Sequence, residues 1–562
     1  MPDARSPIIC LEFNELTPRL MDDFIGRGLL PNFQRLREQS GVFTTDAEAE
    51  GEWLNPWVQW VTVHSGLSAQ EHGIFRLSNA FQMKTPAVWD LVSQAGQKVC
   101  VFGSMNSWYT KPLNGCLVPD PWCQQLEPYP ADEFEAFYKY IQHNVQEYAN
   151  TDSRLSRADT LRFVRYLGAH GLRFRTIVRI VRQLVRERFG NHRWRRASLL
   201  DDLQFDVFAH FYRKHQPQFS TFFLNSTAHY QHKFWRNMDP QAFQIRPTAR
   251  EQRDYKDAIL FGYQEMDRLV GQFLKLAPNA TFLFMTAMGQ RPYTKMEVDG
   301  GKRVFRLRNE SVLRDLLAVE GDWTYEPIMA DEFFLRCKTQ ADATRIAEHM
   351  TSFQLPSGAP AFSVDPQGLE LVVQCRCREL LPEGARIRHA QAGIDIDFHK
   401  VFYRVDTLKS AYHDPLGMLW IRHPSRRHFV QEEPVSLTRI APTILHLLGI
   451  ERPDFMQGSP CLTEESPAQT ASTAPASGAL VPSFRIGKRR DQHRPIVGRW
   501  SVLSERIDHP QYARKQFLCG AIAALLQNRI EPGHTEQITM IVLRFGDTVG
   551  VKDQTIAVLQ LR

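Results

Sequence analysis

Apolar residues recur along the chain in two rhythms, short continuous runs and helical stripes, which alternate over most of the first 450 residues. The runs predict strands at Ile8 to Phe13 (IICLEF), Lys98 to Gly103, Ser220 to Asn225 and Thr281 to Thr286. Among the segments between them, TPRLMDDFIGRG and TPAVWDLVSQAG carry helical periodicity. In DYKDAILFGYQEMDRLVGQFLKL, the side chains of Ile259, Tyr263, Met266, Leu269, Val270 and Phe273 fall on one helix face. Strand and helix alternating in this way is what βαβ units require, so the fold class is α/β around a mainly parallel sheet.

Two stretches break the rhythm. From about 151 to 200 the chain reads LRFVRYLGAHGLRFRTIVRIVRQLVRERFGNHRWRR, a basic amphipathic helical insert in which six arginines, Arg173 to Arg188, interleave with Ile177, Val178, Ile180, Val181, Leu184 and Val185. Its segment 172–188 is a candidate for contact with an anionic membrane surface or a polyanion; the plainer reading is a solvated arginine face on a packed helix. From about 300 to 400 short strand-like runs and one helical pattern predict a small α+β insert. Beyond residue 460, CLTEESPAQTASTAPASGALVP (461–482) is too rich in Ser, Thr, Ala and Pro to pack, and reads as a flexible linker. Residues 483–562 then offer a basic stretch, an apolar helix (QFLCGAIAALLQN) and two strand-like runs (ITMIVLRFG, TIAVLQL) as a C-terminal appendage.

Composition narrows the function classes. With 43% hydrophobic and 23% charged residues, the 562-residue chain is globular rather than disordered. A net charge of +6 is too small to imply nucleic acid, and none is expected as a partner. Nine scattered cysteines lack zinc-knuckle or redox spacing and read as reduced core residues. No apolar stretch of membrane-spanning length occurs, so the expected compartment is the cytoplasm, with peripheral membrane attachment as the alternative raised by the basic helix.

Candidate chemistry gathers in six ordered segments: IICLEFNELTPRLMDDFIGRGLLPNFQRL, WVQWVTVHSGLSAQEHGIF, STAHYQHKFW, TAMG (286–289), SAYHDPLGMLWIR and SLTRIAPTILHLLGIERPDFMQGSP. Together they resemble the type I phosphodiesterase and nucleotide pyrophosphatase branch of the alkaline phosphatase superfamily, over roughly residues 7 to 460. The resemblance implies a three-layer sandwich and displacement at phosphorus or sulfur, with two zinc ions held by three Asp and three His around a Thr or Ser nucleophile. Taken residue by residue, most of that centre is replaced. The opening Asp falls on Asn14, the nucleophile near Asn55 or Pro56, the third motif's Asp on Ala228, and the fourth motif's Asp-His pair on Ala287-Met288; His232 and His413 remain.

One zinc site therefore loses every expected ligand and the other keeps two imidazoles. Two histidines hold zinc only weakly without a further donor. The substitutes within reach by sequence are His229, Glu12, Glu15, His64 and Asp414, so the expected cofactor is either none or a single zinc ion on His232 and His413. Glu15, Asn55 and His229 are the candidate catalytic residues, Glu15 or His229 serving as a general base. Glu12, Asn14, Thr227 and Gln290, at predicted strand ends, are the candidate substrate-binding residues. Met288 reads as core filler, and His64 and His72 as packing or capping groups. Two functions compete: a divergent hydrolase or transferase with a rebuilt site for a small-molecule or glycan phosphate or sulfate ester, and a catalytically inactive binding or scaffold protein on the same fold. A register error near Asn55 would bring Thr44, Thr45 or Thr62 to the nucleophile position.

Overall fold

The computed structural model describes residues 6–146, 156–298, 300–317, 322–329, 332–389, 391–405 and 408–462, together with 539–543 and 556–560. Its centre is a nine-stranded sheet. In chain order its first six strands are β1 (Ile8–Phe13), β2 (Gly41–Asp46), β3 (Val99–Phe102), β4 (Gly115–Val118), β5 (Phe219–Leu224) and β6 (Thr281–Met285). Strands β6, β1, β5, β3 and β4 lie side by side and parallel, so the fold class read from the apolar rhythm holds. Leu416–Arg422 runs antiparallel between β6 and β2.

Alternation along each strand sends side chains to two different helical layers. On one face Phe223 meets Trp60 of the Pro56–Ser65 helix, with ring centroids 5.5 Å apart. On the other, its neighbour Phe222 meets Phe205 and Phe273, and Phe13 meets Phe33. The Ala258–Leu276 helix buries all six residues of the predicted stripe against this second face. Helices thus cover both faces, which explains why β1, β5 and β6 are buried at every position.

The region around 300 to 400 forms a four-stranded antiparallel sheet, in the order Phe362–Gln367, Glu370–Cys375, Glu332–Cys337, Trp323–Pro327, with the Gln340–Thr351 helix and a hydrophobic cluster of its own. The described residues up to Leu462 belong to one compact unit. In the second unit, from Pro467 on, Thr539–Leu543 pairs antiparallel with Ile556–Gln560, where the two strand-like runs were read. The expected linker (461–482) from residue 463 on, and the basic stretch and apolar helix expected after it, lie outside the described residues. Among the described residues no helix is long and apolar enough to cross a membrane.

The basic helix differs from expectation. The Phe174–Glu187 helix does pack on the body, through Thr176, Ile180 and Gln183, but its outward face is not simply a row of solvated arginines. Arg179 turns inward to Asp202 at 2.7 Å and Glu265 at 2.5 Å, and Arg173 pairs with buried Asp206. The apolar residues on the opposite side of the helix are left in solvent.

Candidate metal centre

Parallel strands bring their C-terminal ends to one edge of the sheet, the edge where ligands bind in open α/β folds. At the end of β1, Asn14 donates its backbone N–H to Leu224 O of β5, and Glu15 donates its own to Thr286 O just past β6. Glu15 adopts a left-handed backbone, with φ of 57°. A glutamate in that region costs on the order of 1 kcal/mol and persists only where its surroundings dictate it. Here its carbonyl also accepts Gln231 Nε2 at 2.7 Å, so both backbone groups are clamped. The turn aims the carboxylate into the space between two imidazoles.

His232 lies on the Ser226–Met238 helix, which begins directly after β5. His413 lies on the short strand Ala411–Asp414, which pairs with Gly289–Pro292 so that His413 sits opposite Gln290. The Nε2 atoms of His232 and His413 stand 3.1 and 3.7 Å from Glu15 Oε2. One donor atom from each of the three residues lies within 4.8 Å of the others.

The far side of each ring fixes its tautomer. His232 Nδ1 contacts Ala411 O at 3.0 Å and His413 Nδ1 contacts Leu54 O at 2.7 Å. A carbonyl oxygen only accepts, so each Nδ1 carries a proton and Nε2 is the nitrogen left to face Glu15. With both Nε2 atoms deprotonated, two imidazole lone pairs and a carboxylate oxygen converge, an arrangement that suits a cation between them. Backbone carbonyls orienting the remote nitrogens are what metal-binding histidines commonly use. The donor set of two imidazoles and one carboxylate fits zinc with one position left open.

A further ring of bonds holds Glu15. Oε1 accepts Asn14 Nδ2 at 2.8 Å and Oε2 accepts Gln290 Nε2 at 2.5 Å. Asn14 is itself fixed by Trp60 Nε1 and by Asn225, both at 2.8 Å. Burial opposes ionisation of Glu15, but the neighbouring His232 and His413, with the hydrogen bonds from His232 and Gln290, bring its pKa down to about 2. Burial pushes His413 down to about 3, so at neutral pH it is uncharged.

Glu15, His232, His413, Asn14 and Gln290 thus come together, and Glu15 is the one of the five possible substitutes that reaches the two histidines. The other expectations are corrected. Glu12 does not face a substrate, because His64 Nε2 at 3.1 Å and Ser104 Oγ at 2.8 Å occupy its two oxygens inside the core. Thr227 turns towards the Ala258–Leu276 helix, where a Cβ on Gly262 would lie 2.9 Å from its hydroxyl. His229 is a poor general base, since burial and the nearby charges of Lys233 and His232 lower it to about 3. Glu15 is no better as a base: its oxygens are engaged and its pKa is far below neutrality. Asn14 and Gln290 spend their amide groups on Glu15, so they position a donor. Asn55 occupies the N-cap of the Pro56–Ser65 helix and donates Nδ2 to Glu52 O at 2.6 Å. An amide so placed has no nucleophilic oxygen, although its neighbour Leu54 supplies the carbonyl that orients His413.

No protein-family profile matches the chain, and no curated protein sequence does either. Among solved structures, human ectonucleotide pyrophosphatase/phosphodiesterase 5 is similar at 11% identity, over 81% of this chain and 97% of that one, with a TM-score of 0.36. Phosphonoacetate hydrolase from Sinorhizobium meliloti, solved with phosphonoacetate, is similar at 12% identity, over 79% of this chain and 95% of that one, with a TM-score of 0.37.

Sequence reasoning missed the supporting residues. Tyr263 was read only as a member of an apolar stripe, yet its hydroxyl donates to Gln231 Oε1 at 2.8 Å and accepts Thr17 N at 2.7 Å. Thr17 in turn exchanges hydrogen bonds with the backbone of Gln290, both at 3.0 Å. A hydroxyl inside an otherwise apolar helix face was the available signal. Ala287 and Met288 are fully buried in the hydrophobic core, as core filler should be.

Proposed function

We propose that the protein holds one divalent metal ion, zinc by its donor set, on Glu15, His232 and His413, and that this ion receives a phosphate or sulfate ester. The observation that carries the reading is the convergence of three donor atoms within 4.8 Å, with both Nδ1 positions committed to backbone carbonyls. The ester class is supported by the resemblance of six ordered segments to the phosphodiesterase branch. When bound, the ion supplies Lewis-acid polarisation of an ester oxygen. The chain's own part is to keep Glu15 ionised and aimed, through Asn14 and Gln290, and to hold the two imidazoles in one tautomer.

A second reading, a binding or scaffold protein using the same ion, is favoured by enclosure. The side chains of Glu15 and His413 are only 2% and 5% exposed, and His232 at 21% is the most open of the three. Elemental analysis of the purified full-length chain should find one zinc per molecule, with Glu15→Gln, His232→Ala and His413→Ala each abolishing stoichiometric binding. Two zincs per chain, or full metal content in all three variants, would overturn the proposal. Turnover of a generic aryl phosphodiester by the zinc-loaded protein separates the two readings: measurable zinc-dependent hydrolysis supports the enzyme, and ester binding without hydrolysis supports the scaffold.

A further inference from the structure

The Phe174–Glu187 helix buries a narrow strip of Thr176, Ile180 and Gln183, one polar residue at each end of a single isoleucine. That is an unusual choice for the packed side of a helix whose sequence also offers Phe and three Val, because amphipathic helices turn their apolar stripe to the core. Here it faces out. Phe174 is 68% exposed, Val178 45%, Val181 37% and Val185 39%, and just past the helix end Phe189 is 80% exposed. At about 100° per residue the four helical members fall within an arc of roughly 60°.

Charge on the outward side is of one sign. Arg175, Arg182 and Arg186 are exposed along one side of the apolar stripe, and exposed Arg188 follows at the helix end. The helix's single acid, Glu187, is withdrawn: Arg196 and Gln183 bind it, and its side chain is only 8% exposed. The inward orientation is also firmly locked. Arg179 and Arg268 both bind Asp202 and Glu265, which ties this helix to the Ala258–Leu276 helix. The exposed stripe is therefore the settled arrangement of the helix on the body.

From this face we infer that the protein docks on an anionic lipid bilayer surface, with Phe174, Phe189 and the valines entering the headgroup boundary and the flanking arginines meeting lipid phosphates. The layering decides for lipid over a protein partner: an apolar stripe edged by arginines, with the helix's only acid withdrawn, matches a surface that presents acyl chains beneath a sheet of negative charge. The inference does not rest on the metal site.

The test is co-sedimentation of the full-length protein with vesicles of phosphatidylcholine alone and with about one third phosphatidylserine added. We expect binding to the anionic vesicles only, weakening as salt is raised because exposed charges are screened. A Phe174→Ser/Phe189→Ser variant and an Arg182→Glu/Arg186→Glu variant should each bind at least about tenfold less, in line with the contribution of each basic residue near such a surface. Failure of the unmodified protein to bind anionic vesicles overturns the proposal whether or not the variants fold. So does undiminished binding by both folded variants, which would move the contact elsewhere on the chain. Sedimentation velocity covers the remaining occupant: a dimer that Phe174→Ser/Phe189→Ser dissociates, without vesicle binding, assigns the face to a second copy.

Discussion

The amide of Asn14 does something a carboxylate could not. It donates to Glu15 and to Asn225 while accepting from Trp60, so all of its polar atoms are used and it adds no charge beside Glu15. Asn14→Asp would replace a donor with a second anion 1% exposed to solvent, next to a carboxylate that is itself 2% exposed. The metal-free variant should lose about 1–3 kcal/mol of stability, because a buried hydrogen bond becomes a repulsion. Zinc should then raise its melting temperature by more than it raises that of the parent, since added cation offsets added negative charge; scanning calorimetry with and without zinc checks both statements.

At the scale of elements, the site depends on an antiparallel strand inserted into a parallel sheet. Leu416–Arg422 lies between β6 and β2 and brings Gly417 hard against the turn after β6. A Cβ there would stand 2.7 Å from Thr45 Oγ1 and 3.0 Å from Ala287 C and O. Gly417→Ala should therefore cost about 1–3 kcal/mol by overpacking, read as a shift in the urea midpoint with little change in slope. Elements of this kind mark the limit of what the sequence shows. β1, β5, β6 and the Ala258–Leu276 helix were legible because their apolar pattern is local and strong. The pairing of Ala411–Asp414 with Gly289–Pro292 joins residues more than a hundred positions apart, and nothing local announces it. The same holds for the third donor: five residues were possible by sequence, and the choice fell to Glu15 through a left-handed turn that no apolar pattern encodes. The basic helix was legible as a helix, but its rotation on the body was not, because that was set by Asp202, Asp206 and Glu265 on other helices.

Across the whole molecule, buried acids shape stability against pH. Asp201 is raised to about 7, chiefly by burial, with a smaller opposing effect from the hydrogen bond of Ser226 Oγ at 2.6 Å and further elevation from Asp202 and Glu265. Its folded pKa thus exceeds the ordinary value of 3.8. Between those two values the folded chain holds a proton that the unfolded chain releases, so stability from this group falls as pH rises, and the fall ends once pH passes about 7. Asp201→Asn removes that dependence and keeps an acceptor for Ser226. Its stability should gain on the parent by on the order of 2 kcal/mol between about pH 5 and about pH 8. Chemical denaturation at the two pH values gives the difference directly, and an offset independent of pH would refute it.

The charged clasp of Arg179, Arg268, Asp202 and Glu265 has a mechanical reach. It fastens the outer helix to the one that carries Tyr263, and the Tyr263 hydroxyl grips Gln231, the residue beside His232. A tug or tilt applied at the periphery can travel to the imidazole along one helix, one hydrogen bond and one peptide link.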